Sequence, residues 1–367
     1  MRPMTGITLT YLGPEGTFTH QAAITAADML AHLFEGARPE LIAAPDVPSI
    51  MRAVEAGESW GVIAWENNVE GYVVPNLDAL IDARDIAGFA RVGVDIAFDA
   101  FVRDQSDRLS NESPSRLSDE SPSRHSERSR GISPAEPLDD ATLRALRGAT
   151  VSAHSHGLAQ CKRFIAEYGL VPEPASSNAA ACRDLKPGQM AFGPSICGPL
   201  YGLRTVAKGV QDYQGAHTEF LVLAPRTTVM ELLAHAREDE VAEYETIITF
   251  IPLSTGPGVL ADLLDVLRDA GLNMTSFISR PIKGHDGTYS FIVTIDAAPW
   301  QQRFQSVLTE VAEHGDWVKT LAVYPRRERP NPPVDDWMLP QGGVHLDEAR
   351  LPEGFDHDDA VRKELLW

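Results

Sequence analysis

The chain opens with alternating hydrophobic and polar residues that lead into a tight turn. Residues 7–11 (Ile-Thr-Leu-Thr-Tyr) alternate as in a half-buried β-strand, and residues 13–16 (Gly-Pro-Glu-Gly) predict a turn. Either Thr17 or Thr19 can cap the helix that follows, whose first N–H groups have no intrahelical acceptor. Such a helix start can bind a carboxylate or phosphate, although the same pattern is also plain α/β architecture. The spacing matches neither a nucleotide P-loop nor a dinucleotide-binding turn.

Short apolar strands and helical stretches alternate on both sides of a polar segment. The first part predicts strands at residues 41–44, 61–65 and 92–98, with helices around residues 49–56 and 77–83. The rhythm resumes at residues 149–153 and continues to residues 221–224. This order indicates βαβ units and a parallel or mixed sheet in each half. We therefore predict two α/β lobes with a cleft between them, where ligand sites tend to lie.

The polar segment between the two halves contains a tandem repeat. Residues 108–115 (Arg-Leu-Ser-Asn-Glu-Ser-Pro-Ser) are followed directly by residues 116–123 (Arg-Leu-Ser-Asp-Glu-Ser-Pro-Ser). Such a composition buries too little apolar surface to offset the entropy of ordering. The pattern predicts a disordered, Ser/Arg/Pro-rich surface insertion over residues 103–137, with a regulatory phosphorylation segment as the alternative.

A compact unit follows a helix or linker at residues 225–240. Its predicted elements are a strand (246–252), a helix (258–270), two strands (273–281 and 288–295), a helix (301–314) and a strand (318–324). This βαββαβ order is typical of a ferredoxin-like module. Residues 326–367 are rich in Pro, Asp and Glu and predict an acidic, loosely ordered tail.

Composition narrows the classes of partner. With 32 Lys and Arg against 52 Asp and Glu, the formal net charge is −20, which disfavours nucleic acid and anionic membranes as partners. No apolar run approaches the roughly 20 residues of a membrane span, and no signal peptide is evident. The three cysteines, Cys161, Cys182 and Cys197, are interpreted as reduced, buried thiols, with a metal or redox role as the weaker alternative. These features predict a cytoplasmic protein.

Polar clusters occur where predicted strands end, two in each half. The first half has the opening turn and residues 66–71 (Glu-Asn-Asn-Val-Glu-Gly). The second half has residues 154–161 (His-Ser-His-Gly-Leu-Ala-Gln-Cys) and the run from residue 201 to residues 217–220 (His-Thr-Glu-Phe). Clusters at strand ends in both lobes are suited to lining one cleft.

Taken in this order, the clusters resemble the prephenate dehydratase family, and the C-terminal unit resembles the ACT regulatory module of that family. Residues 256–260 (Gly-Pro-Gly-Val-Leu) stand at the family's Gly-Ala-Leu-type turn, and residues 278–281 (Ile-Ser-Arg-Pro) stand at its Glu-Ser-Arg-Pro motif. The resemblance implies a two-lobed catalytic region of periplasmic-binding-protein-like α/β halves at residues 5–225. It further implies an ACT domain at residues 245–325.

The implied reaction is the decarboxylating dehydration of prephenate to phenylpyruvate, a carbon–oxygen lyase step of phenylalanine biosynthesis. It requires neither a metal nor an organic cofactor. The resemblance implies that Thr218 acts at the departing hydroxyl. The implied substrate-binding residues are Glu66, Asn67, Asn68, Gly71, His154, Gln160 and Phe220. Phenylalanine is the implied effector of a homo-oligomer, a dimer or tetramer, at Gly256, Pro257, Gly258, Val259, Leu260, Ser279, Arg280 and Pro281.

Several residues depart from the family pattern, and Glu219 is the most consequential because it stands where the family has Arg. The others are Asn68 for Ser, Asn76 for Thr, Ala216 for Asn and Ile278 for Glu. Either Glu219 points away from Thr218 into a salt bridge, as strand alternation favours, or it is buried, protonated and itself a proton donor. We favour the salt bridge. Two other functions remain open: a prephenate decarboxylase that does not aromatise the ring, and a catalytically inactive amino-acid sensor.

Overall fold

The computed structural model describes residues 6–34, 38–104, 140–237, 243–254, 256–282, 284–285, 287–326, 334–335, 338–344 and 358–366. The insertion predicted over residues 103–137 therefore lies, from residue 105 onward, outside the described residues. The chain divides into two compact units, Met1–Arg326 and Arg327–Trp367. Among the described residues we find no helix with the length and apolar character that crossing a bilayer requires.

The first lobe is built on a mixed sheet. Its elements are β1 (Thr8–Leu12), α1 (Phe18–Leu33), β2 (Glu40–Ala44), α2 (Val47–Glu55), β3 (Trp60–Asn67), β4 (Gly71–Tyr72), α3 (Val74–Asp82) and β5 (Ile86–Asp95). Strand β1 lies between β2 and β3 and is parallel to both, as the βαβ rhythm predicts. The alanine-rich face of α1 packs against this sheet, where it forms part of the largest hydrophobic core.

The second lobe has its own sheet. Its elements are β6 (Asp99–Val102), α4 (Asp140–Ala145), β7 (Thr150–His154), α5 (Ser155–Ala159), α6 (Lys162–Tyr168), β8 (Val171–Ala175), α7 (Asn178–Arg183), β9 (Met190–Gly193), α8 (Cys197–Tyr201) and β10 (Arg204–Ala207). The strands lie in the order β10-β6-β9-β7-β8. The single strand predicted over residues 92–98 is wrong. Strand β5 ends in the first sheet and β6 begins in the second, so residues 96–98 connect the lobes. All three cysteines are buried in this lobe, as predicted.

Strand β11 (His217–Pro225) returns from the second lobe to the first sheet. It lies antiparallel between β3 and β5, although its position in the sequence groups it with the second half. Residues 220–224 of this strand are buried on both faces, which is typical of a central strand. The return brings Thr218 into register with Asn67 of the first lobe.

The C-terminal module follows α9 (Arg226–Ala236). Its elements are β12 (Tyr244–Ile251), α10 (Val259–Asp269), β13 (Met274–Pro281), β14 (Tyr289–Ile295), α11 (Gln302–Glu313) and β15 (Trp317–Pro325). The predicted βαββαβ order is confirmed, with antiparallel strands in the order β13-β14-β12-β15. Strand β15 also pairs in parallel with β5 of the first-lobe sheet, and Ala322 lies opposite Gly88. A Cβ atom at Gly88 would lie only 2.8 Å from the Cβ of Ala322, so the close approach of these two strands requires glycine.

The second unit contains helix α12 (Asp359–Leu365). Asp358 caps this helix by accepting hydrogen bonds from the N–H groups of Ala360 and Val361. The helix falls within residues 326–367, for which the sequence predicts only a loosely ordered tail. Much of the remaining tail lies outside the described residues.

Candidate active site

Thr218 and Asn67 form a hydrogen-bonded pair on adjacent strands. Asn67 Nδ2 donates to Thr218 Oγ1 at 2.9 Å, and the Thr218 residue is 7% exposed. Asn67 Oδ1 accepts from the N–H groups of Val69 and Glu70, at 2.9 Å each. These two bonds identify the amide oxygen, so the nitrogen is the atom that faces Thr218. Because Thr218 Oγ1 is already an acceptor, its O–H remains available as a donor to a third group.

Two of the departures from the family pattern make structural hydrogen bonds. Asn68 Oδ1 accepts from the N–H of His217 at 2.7 Å, and its Nδ2 donates to the carbonyl of Gly215 at 2.8 Å. The buried Asn76 donates to the carbonyl of Ala64 at 2.7 Å. Asn68 therefore fastens the segment that leads into β11, directly before Thr218.

Glu219 contacts the guanidinium of Arg91 and the ring of His217 and not Thr218. Its Oε2 lies 3.4 Å from Nε of the buried Arg91, and its Oε1 lies 3.3 Å from Nε2 of His217. Thr218 contacts Asn67 of β3, while His217 and Glu219, two residues apart, contact each other. The salt bridge favoured for Glu219 is therefore present.

A cavity of about 410 Å³ lies between the two lobes, within the size range of small-ligand sites. Its lining comes from the β1–α1 turn and from segments at the starts of α5, α7 and α8: Leu12, Gly13, Thr17, Phe18, Thr19, His154, Ser176, Ser177, Asn178 and Pro194. Thr17 is the N-cap of α1; it is one of the two residues that the sequence predicts for this role. Because first-turn N–H groups have no intrahelical acceptor, the start of α1 offers donors to an anion in this cavity.

The β1–α1 turn is fixed by contacts from both lobes. The N–H of Gly16 donates to His20 Nδ1 at 3.0 Å, while Cys197 Sγ of the second lobe donates to the Gly16 carbonyl at 3.2 Å. A Cβ atom at Gly16 would lie about 3.1 Å from Cys197 Sγ and from the Tyr201 ring. Gly16 also has φ +84°, so this position requires glycine for space and for backbone conformation.

The hydrogen bond to His20 predicts a pH dependence of stability. Burial lowers the pKa of His20 below its ordinary value of 6.5, and an Nδ1 that accepts a hydrogen bond must be unprotonated. As the pH falls, the unfolded chain binds the proton first. The stabilisation is therefore complete above about pH 6.5 and is lost as the pH falls through the folded pKa, with a slope of at most about 1.4 kcal/mol per pH unit.

Urea denaturation from pH 7.5 to pH 5 tests this effect. His20→Asn keeps an acceptor for the Gly16 N–H but does not titrate, so its unfolding free energy should fall less than that of the wild type. His32→Asn, at an exposed position on the same helix, should follow the wild type. Parallel curves for the wild type and His20→Asn would contradict the assignment.

Contacts across the cleft connect the cavity to the Thr218–Asn67 pair. Gln160 Nε2 of the second lobe donates to Glu70 Oε1 at 3.1 Å, and His156 Nδ1 lies 3.7 Å from Glu70 Oε2. The rings of His156 and His154 are 5.1 Å apart, and His154 lines the cavity. Since the Glu70 N–H is bonded to Asn67, the chain of contacts runs from the cavity to Thr218.

Three other residues with a predicted substrate-binding role do not line the cleft cavity. In the sheet register, Glu66 lies opposite Glu219 of β11 and Tyr72 of β4. Gly71 lies opposite Asn67 in the β3–β4 hairpin and has φ +81°. Phe220 is 1% exposed within the main hydrophobic core, and this burial leaves its ring no free face for a substrate.

Three cavity residues, Ser176, Ser177 and Asn178, are absent from the sequence prediction. Asn178 Oδ1 accepts from the N–H of His154 at 2.8 Å, and Ser177 caps α7. The available signal is the Ser-Ser-Asn run between β8 and α7, which repeats the strand-end pattern of the other clusters.

A second cavity, of about 190 Å³, adjoins the glycine turn of the C-terminal module. Three residues of the predicted effector site, Gly256, Val259 and Leu260, line it together with Pro252, Ser254, Gly287, Thr288, Tyr289 and Phe291. Ser279 and Pro281 are the cross-strand neighbours of Phe291 and Tyr289. Arg280 instead forms an ion pair with Asp78 of α3, at 3.4 Å.

The family model and a curated relative both identify prephenate dehydratase. The prephenate dehydratase family model matches residues 9–111 and 142–228, more than half of the chain. A prephenate dehydratase of Mycolicibacterium gilvum is 28% identical over 291 residues, covering 77% of this chain and 79% of the relative.

Two solved structures share the fold. A prephenate dehydratase of Arthrobacter aurescens in complex with L-Phe aligns with a TM-score of 0.64 and 22% identity, covering 90% of this chain and 94% of that one. The quorum-quenching acylase GqqA also aligns with a TM-score of 0.64, at 18% identity, covering 87% of this chain and 98% of that one. At these identities the likeness is evidence for the fold alone.

Proposed function

The chain belongs to the prephenate dehydratase family, and on this premise we propose that it converts prephenate to phenylpyruvate in the cleft between its two α/β lobes, with Thr218 acting at the departing hydroxyl. The observation that carries the role of Thr218 is its hydrogen bond from Asn67. This bond occupies an acceptor position of Thr218 Oγ1 and leaves the hydroxyl proton to be donated.

The chemistry needs one well-placed donor and little else. The bond from the ring to its carboxylate breaks and releases CO₂, its electron pair moves through the diene, and the hydroxyl on the opposite ring carbon leaves. The departing oxygen takes up one proton and is released as water, and the ring becomes aromatic. Hydrogen-bond donation from Thr218 to this oxygen stabilises the charge that develops as the carbon–oxygen bond breaks.

The cleft also offers donors for the carboxylates of prephenate. We assign the side-chain carboxylate to the first turn of α1, where Thr17, Phe18 and Thr19 line the cavity. The family motifs imply substrate-binding roles for Glu66, Gly71 and Gln160, and Asn68 stands at a motif position where the family has Ser. The contact of Gln160 with Glu70 supports its place at the cleft.

We propose that phenylalanine regulates the enzyme at the glycine turn of the C-terminal module. The cavity of about 190 Å³ is smaller than typical small-molecule sites, and a second subunit would enclose it further. Leu253 and Tyr289 beside it are 71% and 46% exposed, and β13 is an edge strand of the sheet. A homo-oligomer that covers this surface would complete the effector site.

Incubation of the purified protein with prephenate near neutral pH tests the proposal. Phenylpyruvate, followed by its absorbance in alkali, should accumulate, and phenylalanine should change the rate. Consumption of prephenate without phenylpyruvate would instead identify a non-aromatising decarboxylase. No consumption, together with phenylalanine binding, would identify an inactive sensor.

A further inference from the structure

Arg91 links the strand of Thr218 to the C-terminal module. We propose that it is a positioning residue for the reaction, which sets the placement of Thr218 through two carboxylates, Glu219 and Glu245. This inference rests on the proposed function. Neither the family motifs nor the sequence pattern assigns a role to Arg91.

The guanidinium of Arg91 is buried between groups from three other strands. The residue is 5% exposed on β5, and its Nη1 lies 2.9 Å from Oε2 of Glu245 on β12. Its Nε lies 3.4 Å from Oε2 of Glu219 on β11. The ring of Tyr324 on β15 lies 4.9 Å from the guanidinium carbon, within the range of a cation–π contact. The Arg91 guanidinium therefore connects β11, the strand that carries Thr218, to β12 and β15, the first and last strands of the module.

The two carboxylates hold the guanidinium differently. Glu245 makes a hydrogen bond of good length with Nη1, whereas the contact from Nε to Glu219 is an ion pair without hydrogen-bond geometry. Nη2 of Arg91 is buried and has no hydrogen-bond acceptor among the described residues. Because the tighter bond is to the module, loss of the Glu245 charge leaves Glu219 as the stronger partner and lets the guanidinium move toward it.

A displacement of Glu219 should also displace Thr218, because the two are adjacent residues of β11. Side-chain contacts on both faces of the strand set the position of this segment. The His217 ring lies between Asp95, at 2.8 Å, and Glu219, at 3.3 Å. It occupies space over Gly93, where a Cβ atom would lie 2.4 Å from His217 Nε2. On the other face, Asn67 fixes the hydroxyl of Thr218. A small displacement of a reacting group can cost about 100-fold in rate, so this strand must be held accurately.

A second ion pair between the same parts of the chain provides a matched control. Arg280 of the module lies 3.4 Å from Asp78 of α3, and both side chains are partly buried. This pair joins strand β13 of the module to helix α3 of the first lobe, and neither of its residues belongs to β11. Loss of the Asp78 charge therefore removes a link of the same kind without reaching Thr218.

The experiment compares Glu245→Gln with Asp78→Asn in the full chain. Glu245→Gln should lower kcat for prephenate about tenfold or more with KM changed less than twofold, because Glu245 is buried in the sheet and does not line the cleft cavity. Hydrogen exchange of the amides of residues 217–219 should accelerate in this variant and stay at the wild-type rate in Asp78→Asn, which should also keep the wild-type kcat.

Arg91→Lys is the second variant, and it keeps the proposal testable if Glu245→Gln does not fold. Lysine keeps the positive charge but lacks the fork that reaches two carboxylates, so the same loss of kcat and faster exchange are expected. Wild-type kcat and unchanged exchange at residues 217–219 in these variants would overturn the proposal. An inactive wild type would instead refute the proposed function, while the exchange data would still test the link through Arg91.

Discussion

Replacement of Thr218 with alanine is expected to lower kcat for prephenate by roughly 10²–10⁴-fold, with a much smaller change in KM. The hydroxyl acts at the oxygen whose bond to the ring breaks in the transition state, so its loss affects turnover more than substrate binding. Steady-state kinetics with purified enzyme measures both constants. Loss of the hydrogen bond from Asn67 should cost only about 1 kcal/mol of folding stability, so the variant should remain folded.

Thr218→Ser is the matched control for this prediction. Serine keeps the hydroxyl and the acceptor for Asn67 Nδ2, so it should retain most of the activity that alanine loses. Thr218→Val fills the same volume without a hydroxyl and should resemble alanine. Equal kcat in the alanine variant and the wild type would remove Thr218 from the mechanism.

Local patterns in the sequence predict most elements of the fold. Strand alternation and helical periodicity identify the βαββαβ module, where the predicted helix at residues 301–314 corresponds to α11 (Gln302–Glu313). The same alternation predicts that Thr218 and Glu219 face opposite ways, as their contacts with Asn67 and Arg91 confirm. Such predictions succeed because they depend on neighbouring residues in the chain.

The route of the chain between the lobes cannot be predicted in this way. The return of β11 to the first sheet pairs Thr218 with Asn67, which lies 151 positions earlier in the chain. The passage through residues 96–98 has the same apolar character as the strands on either side of it. No periodicity distinguishes one strand from two when the break lies between buried segments.

In the candidate site, too, local sequence patterns identify some residues, while others depend on contacts between distant parts of the chain. The sequence motifs indicate Asn67, His154 and Gln160, because each belongs to a polar cluster that follows a predicted strand. Arg91 lies in the middle of a strand and gains its role only from carboxylates at residues 219 and 245, so no local motif marks it. The roles of the motif residues in substrate binding remain predictions that the kinetic experiments address.

Phe220→Ala is expected to lower the free energy of unfolding by about 3–5 kcal/mol, the usual loss for truncation of a buried phenylalanine. Phe220 is 1% exposed and belongs to the core that includes Tyr11, Val92 and Val222. The family motif implies substrate binding for the same residue, so the two interpretations predict different measurements. Urea denaturation followed by circular dichroism measures the stability, and Tyr213→Ala, at a residue 59% exposed, should change it by about 0.5 kcal/mol at most.

Phe220→Leu separates a packing role from a substrate contact, because leucine preserves much of the apolar volume. If the ring serves the core, this variant should fold with a smaller loss of stability and keep the wild-type KM for prephenate. A ring that contacts the substrate would give the opposite result, with an almost unchanged unfolding free energy and a KM raised severalfold. Because β11 carries Phe220 two residues after Thr218, packing of this ring also anchors the catalytic strand in the sheet. We therefore expect any loss of kcat in Phe220→Leu to be accompanied by faster hydrogen exchange along β11.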